Sequence, residues 1–158
     1  MLRSQDGAWK LSDFGSTKEG TSKRVIATPN RAGTPSYRAP EVIRRCDPHF
    51  NNKVDIWGLG CIMWELIYGS KRFESDWDVN EYAKDPEGLT PWSQLECLQY
   101  PAHGAMNGIL SRIIQMMLLM LKEKGADRPS AEAVARELEY CRILCEQEIT
   151  NAESQLAN

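Results

Sequence analysis

The 158 residues carry 19 Lys plus Arg against 22 Asp plus Glu, a formal charge of −3, with 42% apolar and 26% charged residues. That is the make-up of one globular domain able to bury a core, and it argues against a nucleic-acid binder working through bulk positive charge. The longest nearly apolar stretch, Ile113 to Leu121, is interrupted by Gln115 and falls far short of the ~20 residues that span a bilayer, so no membrane partner is expected. Met1 to Leu11 holds Arg3, Asp6 and Lys10 and lacks an apolar signal core, which reads as an intracellular chain, cytoplasmic or nuclear. The cysteines, Cys46, Cys61, Cys97, Cys141 and Cys145, are odd in number and lack a C-x-x-C spacing, so free thiols are expected rather than disulfides or a zinc site.

In chain order, Ala8 to Ser12 alternate apolar and polar as a short strand does and lead into Asp13-Phe14-Gly15. From Ser16 to Arg38 the chain is rich in Gly, Ser, Thr, Pro, Lys and Arg, with Val25-Ile26 as its apolar pair, and reads as a long irregular loop. The segment Asp13 to Arg45 is net +4 within an acidic chain. Pro40 suits a first helical turn continued by Glu41 to Arg45 and stopped by Asp47-Pro48. Lys53 to Tyr68 is apolar on nearly every face and predicts a helix buried all round, the central post of its domain, ended by Gly69. Ser75 caps a short helix through Ala83, and Thr90-Pro91 opens another to about Tyr100. Asn107 to Lys122 is a second strongly apolar helix, whose Met116, Met117 and Met120 are expected in the core rather than in a binding groove. Ser130 caps a last amphipathic helix with Val134, Leu138, Cys141 and Cys145 on its apolar side and an end past Glu148 too polar to place.

The motifs gain weight from their order. Asp13-Phe14-Gly15 is followed by Gly33-Thr34-Pro35-Ser36-Tyr37-Arg38-Ala39-Pro40-Glu41, then by Asp55-Ile56-Trp57-Gly58-Leu59-Gly60 and by Arg128-Pro129. This series resembles the C-terminal lobe of a eukaryotic-type serine/threonine protein kinase, over about residues 8 to 145. The resemblance implies a mainly α fold, the helical C-terminal lobe of a kinase-like domain with a short strand before the Asp-Phe-Gly motif and the N-terminal lobe absent. It places a partial domain at 1–148, with an activation segment at 13–41 and a polar tail at 149–158. It also implies ATP and Mg²⁺ as cofactors and a protein as substrate or partner. By the same resemblance Asp13 would give a carboxylate oxygen to Mg²⁺, Gly15 would free the backbone to aim it, and Phe14 would pack to set the motif in or out. Thr28 is the phosphorylation candidate of the basic loop, although Asn30 stands where many relatives carry the phosphorylated residue. Thr34 would align the acceptor hydroxyl. Glu41 and Arg128 would form a buried structural ion pair, and Asp55 would accept backbone hydrogen bonds from a catalytic loop. Gly58 stands where small residues such as Ser are common, with no consequence attached.

A working kinase also needs a Gly-rich loop, a strand lysine with its glutamate partner, and a His-Arg-Asp loop with a second metal ligand. These 158 residues contain none of them; His49 and His103 stand in unrelated contexts. The expectation is a truncated domain inactive on its own, with exposed apolar surface and an unpaired strand edge. The alternative is a kinase-like module that binds protein partners without catalysis.

Overall fold

The computed structural model describes residues 2–3, 7, 9–10, 12–15, 26–27, 33–43, 49–85 and 104–156. Two short antiparallel pairs flank the amino-terminal part: β1 (Leu2–Arg3) with β2 (Trp9–Lys10), and β3 (Ile26–Ala27) with β4 (His49–Phe50). The strand expected before Asp13 is seen at Trp9–Lys10, paired along one edge with Leu2–Arg3. The basic stretch is not irregular throughout, because its apolar pair contributes Ile26 to β3 and a 3₁₀ turn spans Pro35–Tyr37. The helices are α1 (Pro40–Ile43), α2 (Lys53–Tyr68), α3 (Asp76–Lys84), α4 (Gly104–Met120) and α5 (Ala131–Leu156). The fold is mainly helical, as the sequence implies. The helix expected from Thr90 to Tyr100, the end of α1 at Arg44-Arg45, and Cys46, Cys97 and His103 lie outside the described residues.

Local chemistry sets the ends. Gly69 closes α2 at φ 71°, a left-handed conformation that a side chain would strain, and its N–H donates to Glu65 O. Ser75 caps α3 reciprocally: its hydroxyl accepts from Asp78 N, and the Asp78 carboxylate accepts from Ser75 N at 2.9 Å. Ser130 Oγ accepts from Ala133 N at the start of α5. That helix continues through the polar residues 149–156, where Thr150 and Ser154 donate back to the carbonyls of Glu146 and Thr150.

The core gathers on one broad side of α2, through Ile56, Trp57, Gly60, Cys61, Met63 and Trp64. The expectation of a helix buried all round fails at Leu66, which is 72% exposed. Gly60 allows α4 to close on α2: a Cβ there would stand 3.0 Å from Leu121 and 3.1 Å from Met120. Met117, Met120 and Leu121 are wholly buried against it, so these methionines are core residues. Trp57 stacks on Phe73 at 5.5 Å, and both meet the edge of Tyr82. α4 and α5 form a hairpin on which Arg112 pairs with Glu137 at 2.6 Å and lies over the Tyr140 ring. Burial of Cys61 pushes its thiol up to about 12. Cys61, Cys141 and Cys145 are free thiols.

Candidate functional site

Asp13 follows the β1–β2 ribbon and is the non-glycine residue with positive φ among those described, at 65°. The left-handed backbone expected to use the freedom of Gly15 sits on Asp13 instead, a residue whose short side chain tolerates it. A Cβ on Gly15 would make only an ordinary 3.5 Å contact with Asp13 Oδ1. Phe14 does not pack; it is 66% exposed. No hydrogen bond or ion pair among the described residues fixes the Asp13 carboxylate. Mg²⁺ takes one or two carboxylates together with phosphate oxygens, so the donor chemistry suits that ion. Among the described residues, however, no group of three or more His, Cys, Asp or Glu is placed to hold a metal, and Asp13 alone does not make a site.

The stretch Gly33 to Glu41 is held far more firmly. Gly33 turns the chain at φ 88°, and Thr34 enters the 3₁₀ turn exposed, with no side-chain cap bond. Ser36 is buried, and its hydroxyl donates to Glu74 O at 3.1 Å. Tyr37 donates its hydroxyl to Glu65 Oε2 at 2.7 Å, and that bond, with burial and the carboxylate's charge, raises its pKa to about 12. Arg38 folds back so that its Nε donates to Gly33 O at 2.7 Å, while Nη1 pairs with Asp76 at 3.1 Å.

At the end of this stretch Glu41 meets Arg128. The pair is bidentate, Nη1 to Oε1 at 2.7 Å and Nη2 to Oε2 at 2.8 Å. Arg128 further donates to the carbonyls of Lys122, Lys53 and Glu123, and its guanidinium lies 5.0 Å from the centre of the Trp57 ring. Gly125 leaves room for it, since a Cβ there would come 3.3 Å from Glu41 Oε1. Lys53 answers from α2, its Nζ donating to the carbonyls of Arg128 and Pro129. Asp55, on the first turn of α2, is exposed at its surface, yet desolvation pushes its carboxyl above the ordinary value. Thr28 lies outside the described residues.

The structure therefore joins Glu41 to Arg128 and leaves Asp13, Thr34 and Asp55 without a mutual bond. Sequence reasoning did not reach Lys53, Gly125 or the ties of Ser36, Tyr37 and Arg38. The small residue three places before Arg128 and the polar triplet inside Gly33–Glu41 were the signals available. No helix among the described residues is long and apolar enough to cross a membrane.

Comparison with known proteins matches residues 1–138 to the protein kinase domain. Protein kinase C of Drosophila melanogaster is 40% identical over 76 residues, 48% of this chain and 10% of that protein. RAC-beta serine/threonine-protein kinase of Rattus norvegicus is 35% identical over 101 residues, 64% of this chain and 19% of that protein. Serine/threonine-protein kinase chk-2 of Caenorhabditis elegans is 30% identical over 122 residues, 77% of this chain and 23% of that protein. The chain thus spans between a tenth and a quarter of these relatives.

Proposed function

Because the chain belongs to the protein kinase domain family, we propose that its residues are the helical C-terminal part of a serine/threonine kinase domain, near 1–148, and that they transfer no phosphate on their own. Kinase domains use ATP and Mg²⁺, and catalysis in them rests on alignment and charge neutralisation more than on covalent chemistry. When bound, the magnesium nucleotide supplies the transferable phosphoryl group. Asp13 would be its one protein ligand in this stretch. Thr34–Arg38 would seat the protein substrate, with Thr34 facing the acceptor hydroxyl, and Asp55 would hold a catalytic loop that these residues do not contain. Thr28 remains the candidate for activating phosphorylation.

The observation that carries this reading is the bidentate Glu41–Arg128 pair, which anchors the substrate-seating stretch to the helical scaffold. It supports a preformed docking platform without supplying a base or a phosphate clamp. The test is phosphate transfer from labelled ATP with Mg²⁺ to a serine/threonine peptide library. The expected result is no transfer above an Asp13→Ala control; turnover at an enzymatic rate would overturn the reading. The exposed Leu66 and Trp77 favour a second reading, a non-catalytic module that binds a protein partner. An in-frame His-Arg-Asp loop encoded upstream would decide for the enzyme.

A further inference from the structure

We propose that the end of α5 docks a basic amphipathic helix of another protein on an apolar stripe formed by Ile149, Ala152 and Leu156. The stripe continues the one that packs in the core. Leu138, Cys141 and Cys145 recur at steps of three and four residues, the spacing that keeps side chains on one helix face. Cys141 is buried there, and Leu138 packs against the core. The same steps lead on to Ile149, Ala152 and Leu156, where the face is open: Ile149 is 52% exposed and Leu156 89%. Helix length explains the change. Arg112 pairs with Glu137 and lies over Tyr140, and α4 begins eight residues before Arg112, at Gly104. In an antiparallel hairpin α4 therefore runs out opposite about residue 147, and roughly 15 Å of α5 overhangs it. Every residue from Ile149 to Leu156 is exposed. This overhang lies beyond the residues 1–138 that match the kinase domain.

Charge selects the occupant. Arg142 is the last cation of the helix, and Glu139 and Glu146 already hold it. From Ile143 to Leu156 the helix carries Glu146, Glu148 and Glu153 and no Lys, Arg or His. At about 100° per residue, Glu148 and Glu153 flank the apolar stripe on its two sides. A straight apolar row edged by carboxylates accepts a second helix whose own apolar row is edged by Lys or Arg. A second copy of α5 would set glutamate against glutamate along the row. Residues 86–103 carry Glu87 and Glu96 and likewise no Lys or Arg, so neither they nor a second copy complements the stripe. The surface acts whether or not this chain transfers phosphate.

The experiment titrates the full chain into a fluorescein-labelled synthetic helix of about five turns, with leucine at three- and four-residue steps and lysine at the flanking positions, and follows anisotropy. Saturable binding is expected. Ile149→Ser combined with Leu156→Ser weakens it about tenfold or more. Glu148→Gln combined with Glu153→Gln weakens it a few-fold and removes most of its dependence on salt. Ile143→Ser, on the opposite side of the helix, leaves it unchanged, and a probe with glutamate for lysine or alanine for leucine does not bind. The substituted side chains are exposed, and circular dichroism with the urea midpoint checks that each variant keeps the parent fold. No binding, binding that survives the loss of Ile149 and Leu156, or equal binding of the glutamate probe overturns the proposal. A chain that is dimeric by light scattering and becomes monomeric on loss of Ile149 and Leu156 overturns it in favour of a second copy as the occupant.

Discussion

Asp13 and Arg128 are both charged side chains standing in kinase-like motifs, and they end in opposite surroundings. Arg128 is 2% exposed, bonded to both oxygens of Glu41 and to three backbone carbonyls, and covered by Trp57. Asp13 is exposed just after a short ribbon, beside an exposed Phe14, with no bond from any described residue. An enclosed charge must have its partners within the same polypeptide, because leaving one unpaired in a low-dielectric interior is costly. A charge left in water carries no such demand, and its chemistry waits on a ligand. The helical region therefore carries its own structural logic, whereas the Asp13 region becomes a site only when other groups are brought to it.

The sharpest way to break this contrast is Glu41→Ala. It removes the only side chain that neutralises the buried guanidinium among the described residues, and the expected loss is about 3–5 kcal/mol of unfolding free energy, read by urea denaturation followed with tryptophan fluorescence. A loss under about 1 kcal/mol would mean that water reaches Arg128, and the two regions would then differ in degree only. A smaller loss comes from Gly60→Ala. The added methyl must displace Leu121 and Met120 at the α2–α4 contact, and overpacking of that kind costs about 1–3 kcal/mol by the same measurement.

These two positions also mark how far the sequence could be read. The bounds of α2, the Gly69 terminus and the Ser75 and Ser130 caps are legible because each depends on neighbours within a turn or two. Leu66 misled because an apolar residue on a largely apolar helix does not reveal which face meets solvent. The pairing of Ile26–Ala27 with His49–Phe50 and the Arg38–Asp76 contact join residues far apart in sequence, and no local pattern encodes them. The pairing of Glu41 with Arg128 was visible only through the order of motifs, since nothing about an isolated Arg-Pro predicts an interior guanidinium. The polar end of α5 was unreadable for a related reason: it is helical without burying a face, sustained by intrahelical bonds.

A gentler effect separates the regions by pH. The Tyr37 hydroxyl, tied to Glu65, and the buried Cys61 thiol are both raised to about 12 from ordinary values of 10.0 and 9.0. Each holds its proton more tightly folded than unfolded, so its contribution is complete below the ordinary value and is lost as pH climbs toward 12. Stability should therefore decline from about pH 9 upward, with Cys61→Ala removing the earlier part of the decline and Tyr37→Phe the later part. An unchanged alkaline limb in both variants would show that neither group is held as the structure has it.

The smallest effect belongs to Asp13→Asn, and its smallness carries the argument. Asparagine tolerates the left-handed backbone at φ 65° as readily as aspartate does, no described group bonds the carboxylate, and exposed positions of this kind move stability by less than about 0.5 kcal/mol. The melting curve of the variant should therefore overlay that of the parent chain, in contrast to Glu41→Ala. A loss above about 1 kcal/mol would place a structural partner on the carboxylate and would bring Asp13 into the same class as Arg128. An unchanged melt leaves its charge free for whatever ligand is brought to it.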